Sequence, residues 1–148
     1  MAEKTFLDRA AEYANKEIDR FDGDVSNLEI PQQTVAMLYS VQAIIDNGGF
    51  QYLFEGEFPF NPPYSQFVDA YRRIGSARAA ECLERAVAMF PFNDPHLHKE
   101  QRLKFMETLA DDSELVALGD EVCGDEKVWR DLEEYAKRNA TSFPIVVD

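Results

Sequence analysis

The sequence predicts an all-α protein, a single-domain multi-helix bundle built round a central buried helix. Three observations predict it. Apolar residues recur at helical spacing along most of the chain, one segment is apolar on nearly every side, and the only β-like run is "FPIVV" near the C-terminus. A chain of 148 residues suits one domain, and 45% hydrophobic content is enough to bury a core. No internal repeat, low-complexity tract or linker divides it.

Leu7, Ala10, Ala11, Ala14, Ile18 and Phe21 mark an amphipathic helix over residues 3–21, which "DGD" (Asp22–Asp24) ends, Gly23 suiting a positive φ. Pro31 fits the first turn of a second helix running to about Asp46. Val35, Met37, Leu38, Tyr39, Val41, Ile44 and Ile45 leave that helix almost no polar face, so it is the spine of the bundle. Asn47, Gly48 and Gly49 then form a corner, because Asn and Gly tolerate left-handed backbone, and Phe50, Leu53 and Phe54 restart a short helix. "PFNPPY" (Pro59–Tyr64) is a rigid connector in which Asn61 is expected to cap the next helix, marked by Phe67, Tyr71 and Ile74 and closed by Gly75. Ala79, Leu83, Ala86, Val87 and Phe90 mark another. Asp94-Pro95 reads as a cap and first-turn proline opening a helix to about Ala110. A short helix over Glu114–Leu118 is expected to stop at Gly119, and Val128, Leu132, Tyr135 and Ala136 mark the last helix.

Charge is the unusual feature. Twenty-eight acids against fifteen bases give a formal net charge of −13, which repels nucleic-acid phosphates and anionic membranes and favours basic partners or plain solubility. The acids are unevenly placed. Asp22, Asp24, Glu29, Asp46, Glu55, Glu57 and Asp69 fall between Arg20 and Arg72 with no base among them. Glu107, Asp111, Asp112, Glu114, Asp120, Glu121, Asp125 and Glu126 fall likewise between Lys104 and Lys127. Such stretches are either a solvated face or a surface offering carboxylates where a basic protein expects phosphates. No N-terminal apolar segment and no bilayer-length run occurs, so a cytoplasmic protein with reduced thiols is expected.

Signatures of chemistry are missing. "NGGF" has neither the glycine spacing nor the lysine of a phosphate-binding loop. His96 and His98 in "DPHLH" would point about 200° apart at a helix start, which disfavours joint metal coordination. Cys82 and Cys123 match no metal spacing or active-site motif, and Cys82 reads as a small buried thiol. The expectation is therefore no catalytic residue, no metal and no cofactor, with an enzyme unsupported.

Asn47-Gly48-Gly49-Phe50 with its aromatic-rich turn, then Ile74-Gly75, a helix, and Phe90-Pro91 resemble a bacterial domain-of-unknown-function family typified by an acidic DNA-mimic protein. The likeness spans roughly residues 35–140, with Tyr52 and Gly56 standing where that family's pattern has Gln and Asn. It implies an all-α fold, admits a homodimer, and implies an acidic surface that occupies the DNA-binding face of a transcription regulator.

The leading expectation is thus a non-enzymatic interaction protein that binds a basic, nucleic-acid-binding protein and not nucleic acid or membrane. Its first candidate residues are Asp111, Asp112, Glu114, Asp120, Glu121, Asp125 and Glu126, and its second group Asp22, Asp24, Glu55 and Glu57. Asn47, Gly48, Gly49 and Phe50 are the structural corner. The alternatives are an immunity-type inhibitor of a basic toxin, and a small enzyme or ligand-binding domain with a pocket near Phe50, Tyr52 and His96.

Overall fold

A computed structural model describes residues 3–24 and 27–145. Its regular structure consists of α1 (Phe6–Arg20), α2 (Ile30–Glu55), α3 (Tyr64–Arg73), α4 (Ala77–Val87), α5 (Lys99–Glu107), α6 (Glu114–Val122) and α7 (Glu126–Arg138). Single 3₁₀ turns lie at Pro95–Leu97 and Ala140–Ser142, and no strand occurs among the described residues. Of "FPIVV", Phe143 is buried against the Tyr13 ring, 6.5 Å between centroids, whereas residues 146 and 147 lie outside the described residues.

Helix α1 starts on a reciprocal cap: the Asp8 amide donates to Thr5 Oγ1 and the Thr5 amide to Asp8 Oδ2. It buries Leu7, Ala10, Ala11 and Ala14, and ends where Gly23, at φ 87°, donates its amide back to the Ile18 carbonyl over 2.9 Å.

Helix α2 is the spine, packing against α1, α3, α5, α6 and α7. Val35, Leu38, Val41 and Ile45 are fully buried before the corner, and Phe50, Leu53 and Phe54 after it. The corner itself is a kink inside α2: Gly48 (φ −166°, ψ 19°) and Gly49 (φ 69°, ψ −163°) leave the helical region and the chain then resumes. Gly49 occupies backbone space that is essentially restricted to glycine. Beyond the kink Phe54 joins an aromatic cluster, its centroid 5.2 Å from Tyr64 and 5.0 Å from Phe90.

Helices α3 and α4 form a hairpin. Gly75 (φ 92°) ends α3, with Ser76 N bonded to Tyr71 O at 2.9 Å, a closure that needs a left-handed residue. α6 lies antiparallel to α4, since Arg78 meets Glu121 and Arg85 meets Glu114.

Three local expectations are corrected. Asn61 does not cap α3; it sits at φ 44°, and Pro63 holds the cap position without a side-chain bond. Asp94 is left-handed (φ 53°) rather than extended, its side chain makes no cap bond and only its carbonyl accepts, from the Leu97 amide, and a 3₁₀ turn intervenes before α5, which stops at Glu107. Gly119 does not end α6 but lies buried inside it. A Cβ there would sit 2.8 Å from the Phe50 backbone nitrogen, so the glycine lets α6 press directly on the α2 kink.

Candidate partner-binding surface

The acids of the 111–126 region divide by what surrounds them. Glu114 and Glu121 lie seven residues apart, two turns of one helix face, and meet Arg85 and Arg78, also seven apart on α4. The Arg78–Glu121 bond is two-pronged, 2.7 and 2.8 Å, and holds the Glu121 carboxyl below its usual range. Glu121 also accepts from the buried Cys82 thiol over 3.4 Å; burial, then this carboxylate, pushes that thiol up to about 11. Asp125 caps α7 by accepting from the Lys127 amide at 3.0 Å.

Asp111, Asp112, Asp120 and Glu126 remain. All four are exposed, and none makes a side-chain hydrogen bond or ion pair among the described residues. They lie at the two ends of α6: Asp111 and Asp112 in the turn before it, Asp120 in its last turn, Glu126 opening α7. A nine-residue helix rises about 13 Å, which sets the span of this acidic edge. Carboxylates left unpaired next to one another repel, and only water and salt offset that here.

The earlier acidic stretch divides in the same way. Asp46 is structural: its carboxylate accepts from Gln42 Nε2 at 2.8 Å, the Gly124 amide at 2.7 Å and Trp129 Nε1 at 2.8 Å. Gln42, fully buried, also donates to the Val122 carbonyl and accepts from the Tyr71 hydroxyl, so its polar atoms are all engaged. This network ties the helix leading into the kink to the junction of α6 and α7. Asp22, Asp24, Glu55 and Glu57 lie elsewhere, on the turn after α1 and at the end of α2.

The corner residues are packing elements. Phe50 is buried under α6, Asn47 Nδ2 donates to the Ala43 carbonyl, and the Tyr52 ring lies over Gly48 where a Cβ would stand. The Phe50 amide that a ligand would have to reach faces Gly119 instead. Among the described residues, the open depression at the corner, about 740 Å³ and lined by Ile44, Asn47, Tyr52, Glu55 and Gly56, reaches neither Phe50 nor His96, and the crevice beside His96, between Tyr64 and Arg102, holds about 10 Å³ and is lined by neither Phe50 nor Tyr52. That is the smallest space that admits one water.

Sequence reasoning missed Arg102, which is buried and bonded only to backbone carbonyls, of Phe54, Gly56 and Pro95. No group of three or more His, Cys, Asp or Glu among the described residues is arranged to hold a metal ion, and no helix among them is long and apolar enough to cross a membrane.

Comparison with known proteins yields one match. Residues 26–139 fit the model of the family described as DMP19-like protein, whereas no curated protein and no solved structure matches the chain. With the fitted region covering most of the helical core, from the approach to α2 through the end of α7, the chain belongs to the DMP19-like protein family.

Proposed function

We propose that the protein is a non-enzymatic DNA mimic that binds a basic, nucleic-acid-binding protein, such as a transcription regulator, through the α6 edge. The observation that carries this reading is the sorting of acids. Glu114 and Glu121 are matched to arginines, yet Asp111, Asp112, Asp120 and Glu126 are left exposed with no ion pair or side-chain hydrogen bond among the described residues. Membership of a family of DNA-mimic proteins supports it. A basic partner would supply the missing cations and release their counterions, so binding should weaken steeply with salt, as protein–DNA contacts do. Glu114, Glu121 and Asp125, also exposed or half-exposed, are the flanking carboxylates of the same surface. A DNA-binding regulator as partner would suit a cytoplasmic protein.

The test is capture. Tagged protein is incubated at low salt in a nuclease-treated lysate of the cells that make it, and what a salt step elutes is identified. The expected result is a basic DNA-binding protein that is lost when Asp111, Asp112 and Asp120 are each replaced by Lys, with helix content by circular dichroism unchanged. An empty eluate, or one that the triple reversal leaves intact, overturns the proposal.

A further inference from the structure

The corner in α2 presents an aromatic ring with one face covered and the other open. Tyr52 is 55% exposed, yet its ring is seated. A Cβ built on Gly48 would stand almost equally close to Tyr52 Cγ, Cδ1 and Cδ2, so one face of the ring lies over that glycine. The φ of Gly48, −166°, is open to any residue, so the ring above it, rather than that angle, accounts for the missing side chain. With that face covered, the ring offers its opposite face outward.

Tyr52 stands in the open depression that Ile44, Asn47, Glu55 and Gly56 also line. The side-chain polar atoms left unspent there are acceptors, apart from the Tyr52 hydroxyl, which both donates and accepts. Asn47 Nδ2 is used on the Ala43 carbonyl, which leaves Oδ1. Glu55, exposed and one turn beyond Tyr52, makes no side-chain hydrogen bond or ion pair among the described residues. No Lys or Arg lines the depression, and none occurs in the chain between Arg20 and Arg72. Arg102, which donates to the Gly56 carbonyl, is buried, and Lys99 lines a separate crevice with Glu57.

We propose that this depression receives an arginine side chain of the partner, its guanidinium stacked on the outer face of Tyr52 and bonded to the Glu55 carboxylate. The inference rests on the proposal of a basic partner and names a contact that general charge does not supply. Charge complementarity selects a cation, Asn47 Oδ1 offering it a further acceptor. The ring selects arginine, because a planar guanidinium stacks on an aromatic face and meets a carboxylate with two parallel N–H groups, whereas an ammonium is compact and strongly hydrated. The α6 edge is within reach of the same partner. A Cβ on Gly119 would touch the Phe50 nitrogen, so covalent geometry keeps the Asp120 Cα within about 15 Å of the Gly48 Cα, the length of a helix of about ten residues. A second copy of the chain, paired through this face about a twofold axis, would bring another Glu55 and no base.

The test is an NMR titration of the full chain, at constant ionic strength, with three synthetic peptides that carry Arg, Lys or citrulline at the same two positions. The Arg peptide should bind about fivefold more tightly than the Lys peptide and shift the Tyr52 ring protons, and the citrulline peptide should leave them unmoved. Tyr52→Ala should erase the preference for Arg over Lys, Tyr52→Phe should retain it, and Glu55→Gln should weaken the Arg peptide about fivefold. Both positions are exposed, and each variant must keep wild-type helix content. Equal affinity for the Arg and Lys peptides overturns the site, as does absence of binding, a preference that survives Tyr52→Ala, an Arg-peptide footprint that omits the Tyr52 ring, or a Glu55→Gln variant without effect. Shifts of that ring on raising protein concentration alone also overturn it, in favour of a second copy. The acidic α6 edge has its own test in the triple reversal, and that variant should leave the Arg preference and the Tyr52 shifts in place, so the two readings fail separately.

Discussion

Removing the Arg102 side chain's donors should cost more than any other single exposed-to-buried change of similar size in this fold. Arg102 is 1% exposed and has no carboxylate partner among the described residues. Instead Nε donates to Phe54 O at 2.8 Å, Nη2 to Gly56 O at 3.0 Å and Nη1 to Pro95 O at 2.7 Å. Two of these carbonyls end α2, where the helix dipole is negative, and the third holds the 3₁₀ turn before α5. Arg102→Met keeps most of the stem and strands three carbonyls. Hydrogen bonds to a charged group contribute ~1.5–3 kcal/mol each, offset by the desolvation that a buried cation no longer suffers. The expected net loss is about 3 kcal/mol, against the ~5–15 kcal/mol typical of a whole domain. In a chain of this length that lowers the melting temperature by about 6–12 °C. Arg102→Lys, with one ammonium on a flexible stem, should fall between the two. The assay is urea unfolding followed by circular dichroism. A loss below about 1 kcal/mol for Arg102→Met would refute the reasoning, since it would mean the carbonyls find water as readily as they find the guanidinium.

Other outcomes follow from the same contacts. Gly49→Ala must force a side chain into glycine-only backbone and should destabilise by about 1–3 kcal/mol in thermal melts, whereas an alanine at an ordinary helical site would stabilise. Asp46→Asn places an amide donor where the carboxylate accepts from Gly124 N and Trp129 Nε1; it should cost about 2 kcal/mol and shift the emission of Trp129, the chain's single tryptophan. Asp8 is held below its ordinary 3.8 chiefly by the Tyr39 hydroxyl, so its contribution to stability is complete above pH 3.8 and fades as pH falls further. Tyr39→Phe should flatten that acid limb in urea midpoints measured from pH 5 down to 2. Cys82, buried with its thiol raised to about 11, should resist alkylation at pH 8 in the folded protein and react once urea unfolds it.

Most elements were legible because local chemistry and tertiary demand agree. The apolar faces of α1, α3, α4 and α7 carry their period in the sequence, and Gly75 both suits and ends a helix. Where the two diverge, sequence reasoning fails for a physical reason. Gly119 reads as a stop, yet its purpose is a contact with Phe50, some seventy residues away, that no local pattern announces. Asp94-Pro95 reads as a helix start, but the turn there is held by Arg102 through the Pro95 carbonyl. In the acidic stretches, charge runs were visible and their neutralisation was not. The matched seven-residue spacings of Arg78–Arg85 and Glu114–Glu121 carried a signal for it; Asp46, whose partners are Gly124 and Trp129, carried none.

The most direct measurement of the central claim is competition. The captured partner is bound to immobilised protein, and duplex DNA containing that partner's own binding site is titrated in at constant ionic strength. If the α6 edge stands in for phosphates, DNA displaces the partner fully, and protein in which Asp111, Asp112 and Asp120 are Lys holds no partner to displace. Simultaneous binding of DNA and this protein to the partner would contradict the account.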